Sequence, residues 1–485
     1  MANALRQIYL LNPKDLSPET IAVTFAKTSR SPQSFSEIAA ELTNEKSAEF
    51  HERWVVGYGH ASVAEHAVLH IAIENVSRLA IETIESNRLA AYTEKSTRYQ
   101  RWAPDAFYIP DELEGHPLLG LYRSTLQALF ETYIKSMDAA RSTIAQTLPR
   151  RETESDAAWE RRLRTHYVDI CRYLLPAASL ANVGMTANAR VLEHAIQKCL
   201  SSPLAEVQSI GQTVKSVALA EIPTLVKYAD QVPYLTQAGQ MLASAAPVST
   251  PQTHGDWCQL VAWDPQGEIK VLAAALYRYS GMNFDECSRY VQALGAEERK
   301  ALAAGLLGSM AEHDVPLREL EHTTYSFDVI LDQGAYFEVK RHRMMTQTPQ
   351  ALTTRLGYAV PRVLTQAGFE APYRQAMEKA AEAYEALADW NPAVASYVVP
   401  NGYNRRVLLT FNLREAFHFL SLRSSERAHF AVRRVARRMA EQIQSVHPLL
   451  AGYIPLTPDE DWEKIDRTYF SKDEPRSPEW QHDAG

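Results

Sequence analysis

The sequence predicts an α+β chain made of two diverged tandem copies of one domain, each a mixed sheet with long helices, so that one chain imitates a dimer. Three observations predict it. Landmarks recur in the same order over most of both halves. Short apolar runs of strand character alternate in each half with longer stretches of helical spacing. An arginine-centred motif occurs once per half and has decayed in complementary ways. At 485 residues there is room for two domains, each with a substantial core.

Taken in order, residues 8–13 and 260–265 read as the opening strand of each half, an apolar run ended by a proline turn. Glu65-His66 pairs with Glu321-His322, and strand character follows at 68–73 and 325–330. The stretches 77–87 and 334–340 lead toward the arginine motifs. The charged segment 149–156 has no counterpart and reads as an exposed loop running into a helix. Leu175-Pro176, Thr186, Asn188 and Arg190 pair with Val399-Pro400, Thr410, Asn412 and Arg414. Residues 205–228 and 426–446 show helical spacing and close the halves, with Ile222-Pro223 and Tyr228 matching His447-Pro448 and Tyr453. Arg433, Arg434, Arg437 and Arg438 crowd one side of the last helix. They read first as a solvated face, with a phosphate or subunit contact as the alternative. The first repeat is expected over 1–236, a turn-rich linker over 237–256, the second repeat over 257–470, and a polar tail with Pro475 and Pro478 over 471–485.

Bulk composition narrows the function. A hydrophobic content of 46% and a charged content of 22% are ordinary for a soluble protein. A net charge of −8 speaks against a dedicated nucleic-acid binder, which needs a basic footprint. Cys171, Cys199, Cys258 and Cys287 show no CxxC or CxxH pairing, so reduced thiols are expected and no metal site is indicated. No apolar run reaches about eighteen residues, so no membrane partner is expected and the chain reads as cytoplasmic.

The motifs carry the chemistry. The second half keeps an intact Arg341-His342-Arg343, followed by Thr346, Gln347, Thr348, Pro349, Gln350 and Ala351. The first half has Ser86-Asn87-Arg88, followed by Tyr92-Thr93-Glu94-Lys95-Ser96-Thr97-Arg98-Tyr99. One copy retains the basic triplet and the other the polar tail. Guanidinium forks beside hydroxyls and carboxylates suit a phosphorylated, planar, hydrogen-bonding ligand. A basic triplet alone is weak evidence, since surface charge gives the same pattern.

With its spacing and company, the pattern resembles the flavin-dependent thymidylate synthase family, whose signature is RHR, seven residues, then Ser. Here it reads Arg341–Arg343 then Ala351, and Ser86–Arg88 then Ser96. Gly59-His60-Ala61-Ser62-Val63-Ala64-Glu65-His66 is similar to the family's upstream element, and 175–190 and 399–414 to its downstream one. The resemblance implies FAD as cofactor, with Arg341, His342, Arg343, Asn412, Arg414 and His418 as flavin contacts and His60 and Ser62 bordering it. His418 stands where Asn is usual. It implies that Glu94, Lys95, Ser96, Thr97, Arg98 and Arg172 hold dUMP, and that Arg423 polarises the uracil ring. The counterparts of Arg172 and Arg423 in the opposite halves are Ser396 and Cys199. Thr83 and Glu338 stand where the family has Gln, which opens a related nucleotide or a hydroxymethyl product. NADPH and 5,10-methylenetetrahydrofolate are the implied co-substrates, and a homodimer would recreate the family's tetramer. The expected activity is methylation of dUMP to dTMP at one composite site. The alternatives are transfer to another pyrimidine nucleotide, or a non-catalytic descendant that binds FAD or nucleotide.

Overall fold

The computed structural model describes residues 7–57, 59–247, 256–458 and 460–471. The chain forms two compact units that interleave in sequence. The first contains Met1–Lys95, Phe107–Leu119 and Ala178–Val248; the second contains Ser96–Ala106, Gly120–Ala177 and Ser249–Gly485. The second unit therefore carries segments from both sequence halves.

In the first unit, β1 (Val68–Ser77), β2 (Ala91–Glu94) and β3 (Leu180–Asn188) form an antiparallel sheet in the order β1-β3-β2. In the second, β4 (Cys258–Trp263), β5 (Thr324–Asp332), β6 (Thr346–Pro349) and β7 (Asn404–Asn412) are ordered β4-β5-β7-β6. The β-branched and aromatic residues of β5 and β7 suit a pleated sheet, and the buried rings of Phe327 and Phe411 stack at 5.8 Å.

The two sheets repeat one another in register. Val68 faces Asn188 as Thr324 faces Asn412, and Ala91 faces Thr186 as Thr346 faces Thr410. Both helices that follow the central strand are capped alike: the Asn188 side chain accepts from the Val191 amide, and Asn412 from Glu415. Arg190 pairs with Glu65 at 2.5 Å, and Arg414 with Glu321 at 3.0 Å. The closing helices, Ala205–Glu221 and Phe430–Val446, end at Ile222 and His447 with almost the same backbone angles, φ −133° and ψ 61° or 62°. Tandem copies of one fold are thus visible in hydrogen bonds as well as in letters.

Inside the second unit, equivalent segments of the two copies meet. Pro176 bridges Pro400; the Ala177 amide donates to the Val399 carbonyl at 2.9 Å, and the Asn401 amide donates to the Leu175 carbonyl at 3.0 Å. A repeat segment that pairs with its own counterpart through a reciprocal pair of bonds is the signature of a local two-fold, as in an isologous dimer interface. Tyr173, Tyr373, Tyr397 and Tyr403 fill the core around this seam. Gly402 lies against two of them so closely that a Cβ would come within 2.7 Å of the Tyr373 hydroxyl and 3.1 Å of the Tyr173 ring.

Several sequence expectations need correction. The expected strand at 8–13 is absent, because 7–12 pair with no strand among the described residues. Accordingly, β4 has no counterpart in the three-stranded sheet of the first unit. Gln237-Ala238-Gly239 are not a turn: they lie in the helix Pro233–Ala245, for which Pro233 supplies a favourable first-turn residue. Residues 248–255 of the expected linker, and the tail beyond Ser471, lie outside the described residues. The closing helices are shorter than expected, stopping at Glu221 and starting at Phe430. Segment 149–156 is indeed a loop entering the helix Asp156–Cys171, with Ser155 as its cap.

The arginine row of the last helix is not a solvated face. Arg433 pairs with Glu460 at 3.1 Å, Arg434 with Asp466, and Arg438 with Asp256, while Arg437 donates to the Thr457 carbonyl at 2.6 Å. Thr457, Glu460 and Asp466 tie the helix Trp462–Tyr469 and its approach onto Phe430–Val446, and Asp256 ties the entry to β4 onto the same helix. Periodicity alone cannot see the carboxylates that cover a basic face.

Candidate active site

The intact triplet sits in the turn between the helix Gln333–Val339 and β6. Asp332 caps that helix by accepting from the Ala335 amide at 2.7 Å. Every residue of the helix is buried, so Glu338 is carried inside the unit, and His342 follows it there. Arg341 is exposed and Arg343 is half-buried.

His342 is 3% exposed, and both ring nitrogens are engaged. Nδ1 lies 3.1 Å from Glu415 Oε1, and Nε2 accepts from Arg423 Nε at 2.9 Å. Arginine cannot accept, so Nδ1 carries the ring proton and donates it to Glu415. Burial, with the Arg423 and His418 charges beside it, pushes the His342 pKa down to about 2, and burial raises that of Glu415. Phe419 stands edge-on to the His342 ring at 4.8 Å. A neutral imidazole thus fixes Arg423 from behind.

Arg423 NH1 reaches Glu338 Oε2 at 2.9 Å. Glu338 also gathers the first-half arginines, with Arg172 NH2 at 3.6 Å and Arg98 NH1 at 3.7 Å from its Oε1. Arg98 clasps Asp169 through Nε at 3.0–3.1 Å, and Arg172 lies 3.4 Å from the same carboxylate. Arg172 further reaches Thr97 Oγ1 and the Gly334 carbonyl, and Ser96 Oγ accepts from the Arg98 amide. Burial raises the pKa of Asp169 despite these cations, and lowers that of Arg423. Arg98, Arg172 and Arg423 against Asp169 and Glu338 leave one net positive charge in a dry setting, which suits an anion.

Sequence reasoning missed Asp169, Glu415 and His429; the His429 ring lies 3.7 Å from Asp169. Asp169 and His429 carry no local signal, and only their packing reveals them. Glu415 had one, since it stands in the first turn of the helix Leu413–Arg423, where Asn412 accepts from its amide.

Beside this cluster opens a cleft of roughly 890 Å³ lined by Asn412, Arg414, Glu415, His418 and Arg423, with residues 310–316 and 425–428 as walls. That volume is within the range of cofactor pockets. Arg414, Arg423, Arg427 and His418 offer donors and an imidazole to a ligand with phosphates and a planar polar ring, beside the carboxylates of Glu312, Asp314, Glu321, Glu415 and Glu426; Arg341 and Arg343 do not line it.

The remaining predicted residues belong to the first unit. His60 and Ser62 are exposed at the 3-10 turn Ala61–His66. Glu94 is held by Arg78 at 2.7 Å with both side chains buried, and the Lys95 amide donates to the Asn182 carbonyl. The degenerate positions have become structural. Asn87 donates to the Ile84 carbonyl at the end of a helix, and Ser86 to Thr83. Cys199, where an arginine would be expected, packs against Gly211, whose added Cβ would come within 2.7 Å of it. Ser396 donates to the Leu352 carbonyl.

The family described as "Thymidylate synthase complementing protein" matches this chain twice, at residues 12–224 and 259–449. The chain belongs to the flavin-dependent thymidylate synthase family. The UPF0159 protein of Chlamydia muridarum is 32% identical over 438 residues, covering 85% of this chain and 82% of its own. A flavin-dependent thymidylate synthase of Clostridium tetani is 28% identical over 218 residues, 44% of this chain and 82% of its own, as a single-copy relative of a tandem chain would be. The Helicobacter pylori flavin-dependent thymidylate synthase solved with FAD and dUMP aligns with a TM-score of 0.32 at 19% identity, over 42% of this chain and 100% of that one. Among the described residues no helix is long and apolar enough to cross a membrane.

Proposed function

We propose that this chain methylates a pyrimidine deoxynucleotide, dUMP to dTMP in the family's form, at one composite site within the second unit. One observation carries the reading: Arg98 and Arg172 from the first sequence half and Arg423 from the second converge on Glu338. Decay of an unused enzyme would not keep complementary residues and bring them to one carboxylate.

In this reading Arg98, Arg172, Ser96 and Thr97 hold the nucleotide, and Arg423 stabilises negative charge on the N3–C2=O edge of its ring. Arg341, Arg343, Asn412, Arg414 and His418 hold FAD. Bound and reduced, FAD supplies hydride, with 5,10-methylenetetrahydrofolate as carbon donor and NADPH as reductant. His60, Ser62, Glu94 and Lys95 belong to the first unit and are not assigned to this site; a homodimer is the expected assembly. The protein's share is orientation and charge placement, with no protein nucleophile.

The test is Arg423→Ala. Purified variant should keep its flavin absorbance and lose turnover of dUMP by about 100-fold or more, the scale of losing one charge-stabilising donor. Protein without micromolar FAD affinity, or full complementation of a thymidine-requiring strain by the variant, overturns the reading.

A further inference from the structure

We infer that Glu415 is a positioning residue for Arg423: by taking the Nδ1 proton of His342 it keeps the Nε2 lone pair turned to the arginine, and so sets where that guanidinium points. The inference rests on the methyl-transfer reading above. Glu415 stands third in the helix Leu413–Arg423, where its own amide donates to the Asn412 side chain. At the same helix position Glu37 and Glu286 turn their carboxylates back to the cap amides of Ser34 and Asn283. Glu415 instead reaches His342 Nδ1 at 3.1 Å, from the wall of the cleft. The repeat supplies a second, independent observation. In the first copy the positions of Glu415, His342 and Arg423 hold Val191, Asn87 and Cys199, so all three are replaced together.

A neutral imidazole donates from only one of its nitrogens. With the proton on Nδ1, Nε2 can accept from Arg423 Nε, which stands 2.9 Å away. With the proton on Nε2, two N–H groups would face each other at that distance and the arginine would have to move off. Glu415 decides between the two, because an anion beside Nδ1 favours a proton there. Two of the three guanidinium nitrogens are then held, Nε by His342 and Nη1 by Glu338 at 2.9 Å. A planar fork fixed at two corners has no rotation left, so Nη2 is aimed with it. Glu415 needs no contact with the nucleotide; its effect passes through His342.

Nuclear magnetic resonance of the purified full chain, labelled at the histidine ring nitrogens, reads the tautomer directly, and the His342→Gln variant identifies the signal. Wild type should carry the proton on Nδ1. Glu415→Gln should keep it there through its amide oxygen, and Glu415→Leu should shift it toward Nε2. Turnover of dUMP should follow: Glu415→Leu lowers kcat by about 10–100-fold, the range for losing a group that orients a functional imidazole, with KM little changed, and Glu415→Gln retains it. In a His342→Gln background, Glu415→Leu should cost nothing more. A wild-type proton on Nε2, or on both nitrogens, overturns the inference whether or not the leucine variant folds. So does an undiminished kcat in Glu415→Leu, or an equal loss in both backgrounds. In those cases wild type still converts dUMP and the functional reading stands. A wild type that converts no pyrimidine nucleotide removes that reading and this inference with it.

Discussion

At the residue scale, His342 has changed meaning. The resemblance makes it a flavin contact, yet its two nitrogens join Glu415 to Arg423 in a buried chain that ends on Glu338. A site that must present one arginine at a fixed angle gains from a support that cannot donate in the wrong direction. The pH consequence follows from the folded-state pKa of about 2. Below pH of about 6.5 the unfolded chain takes up a proton on this histidine and the folded chain does not. Protons therefore favour unfolding through His342 over the window from about 6.5 down to about 2. His342→Gln lacks that penalty, so the stability gap between wild type and variant should narrow by roughly 1.4 kcal/mol per pH unit below about 6.5. Urea denaturation of both proteins at pH values of about 7.5 and 5.5, on either side of the ordinary histidine pKa, checks this. A gap independent of pH would mean that the imidazole titrates alike in the folded and unfolded chains, and a gap that widens toward low pH that it is held charged in the fold.

At the element scale, the seam between the two copies rests on the reciprocal pairing of Leu175–Ala177 with Val399–Asn401. Gly402 permits it, since any side chain there meets Tyr373, Met377 and Tyr173 at 2.7–3.1 Å. Gly402→Ala should lower stability by about 1–3 kcal/mol, the usual cost of overpacking a core. The midpoint of urea unfolding reads it out, and an unchanged midpoint would show that the tyrosines yield freely. The same elements explain which sequence expectations hold. β1, β4 and β5 are legible because their short apolar runs carry strand character, whereas β3 and β7 read only as motif-bearing segments. The segment at 8–13 has the composition of a strand but pairs with none among the described residues, and composition does not encode a partner. The arginine row on Phe430–Val446 reads as solvated because Asp256, Glu460 and Asp466 lie outside the helix that carries it.

At the scale of the whole molecule, interleaving matters most. The second unit takes Ser96–Ala106 and Gly120–Ala177 from the first half, and with them Arg98, Asp169 and Arg172. The position opposite Arg172 in the second half is Ser396, which carries no charge. In the first repeat the places matching His342 and Arg423 hold Asn87 as a cap and Cys199 in the core, where burial pushes its thiol up to about 11. One FAD per chain is therefore expected, measured as flavin absorbance against protein concentration. Two per chain would mean that each copy binds independently and that no composite site exists.

The repeat, strands β1, β4 and β5, the family and the complementary survival of Arg98, Arg172, Arg341–Arg343 and Arg423 can all be recovered from the letters of the chain. Those features are written locally, in spacing, periodicity and motif. Folding alone brings Arg98, Arg172 and Arg423 into one unit and onto one carboxylate, sets His342 behind Arg423, and turns the lost motif positions into caps and packing. Such facts depend on contacts between residues far apart in sequence, whose burial and partners no local pattern records.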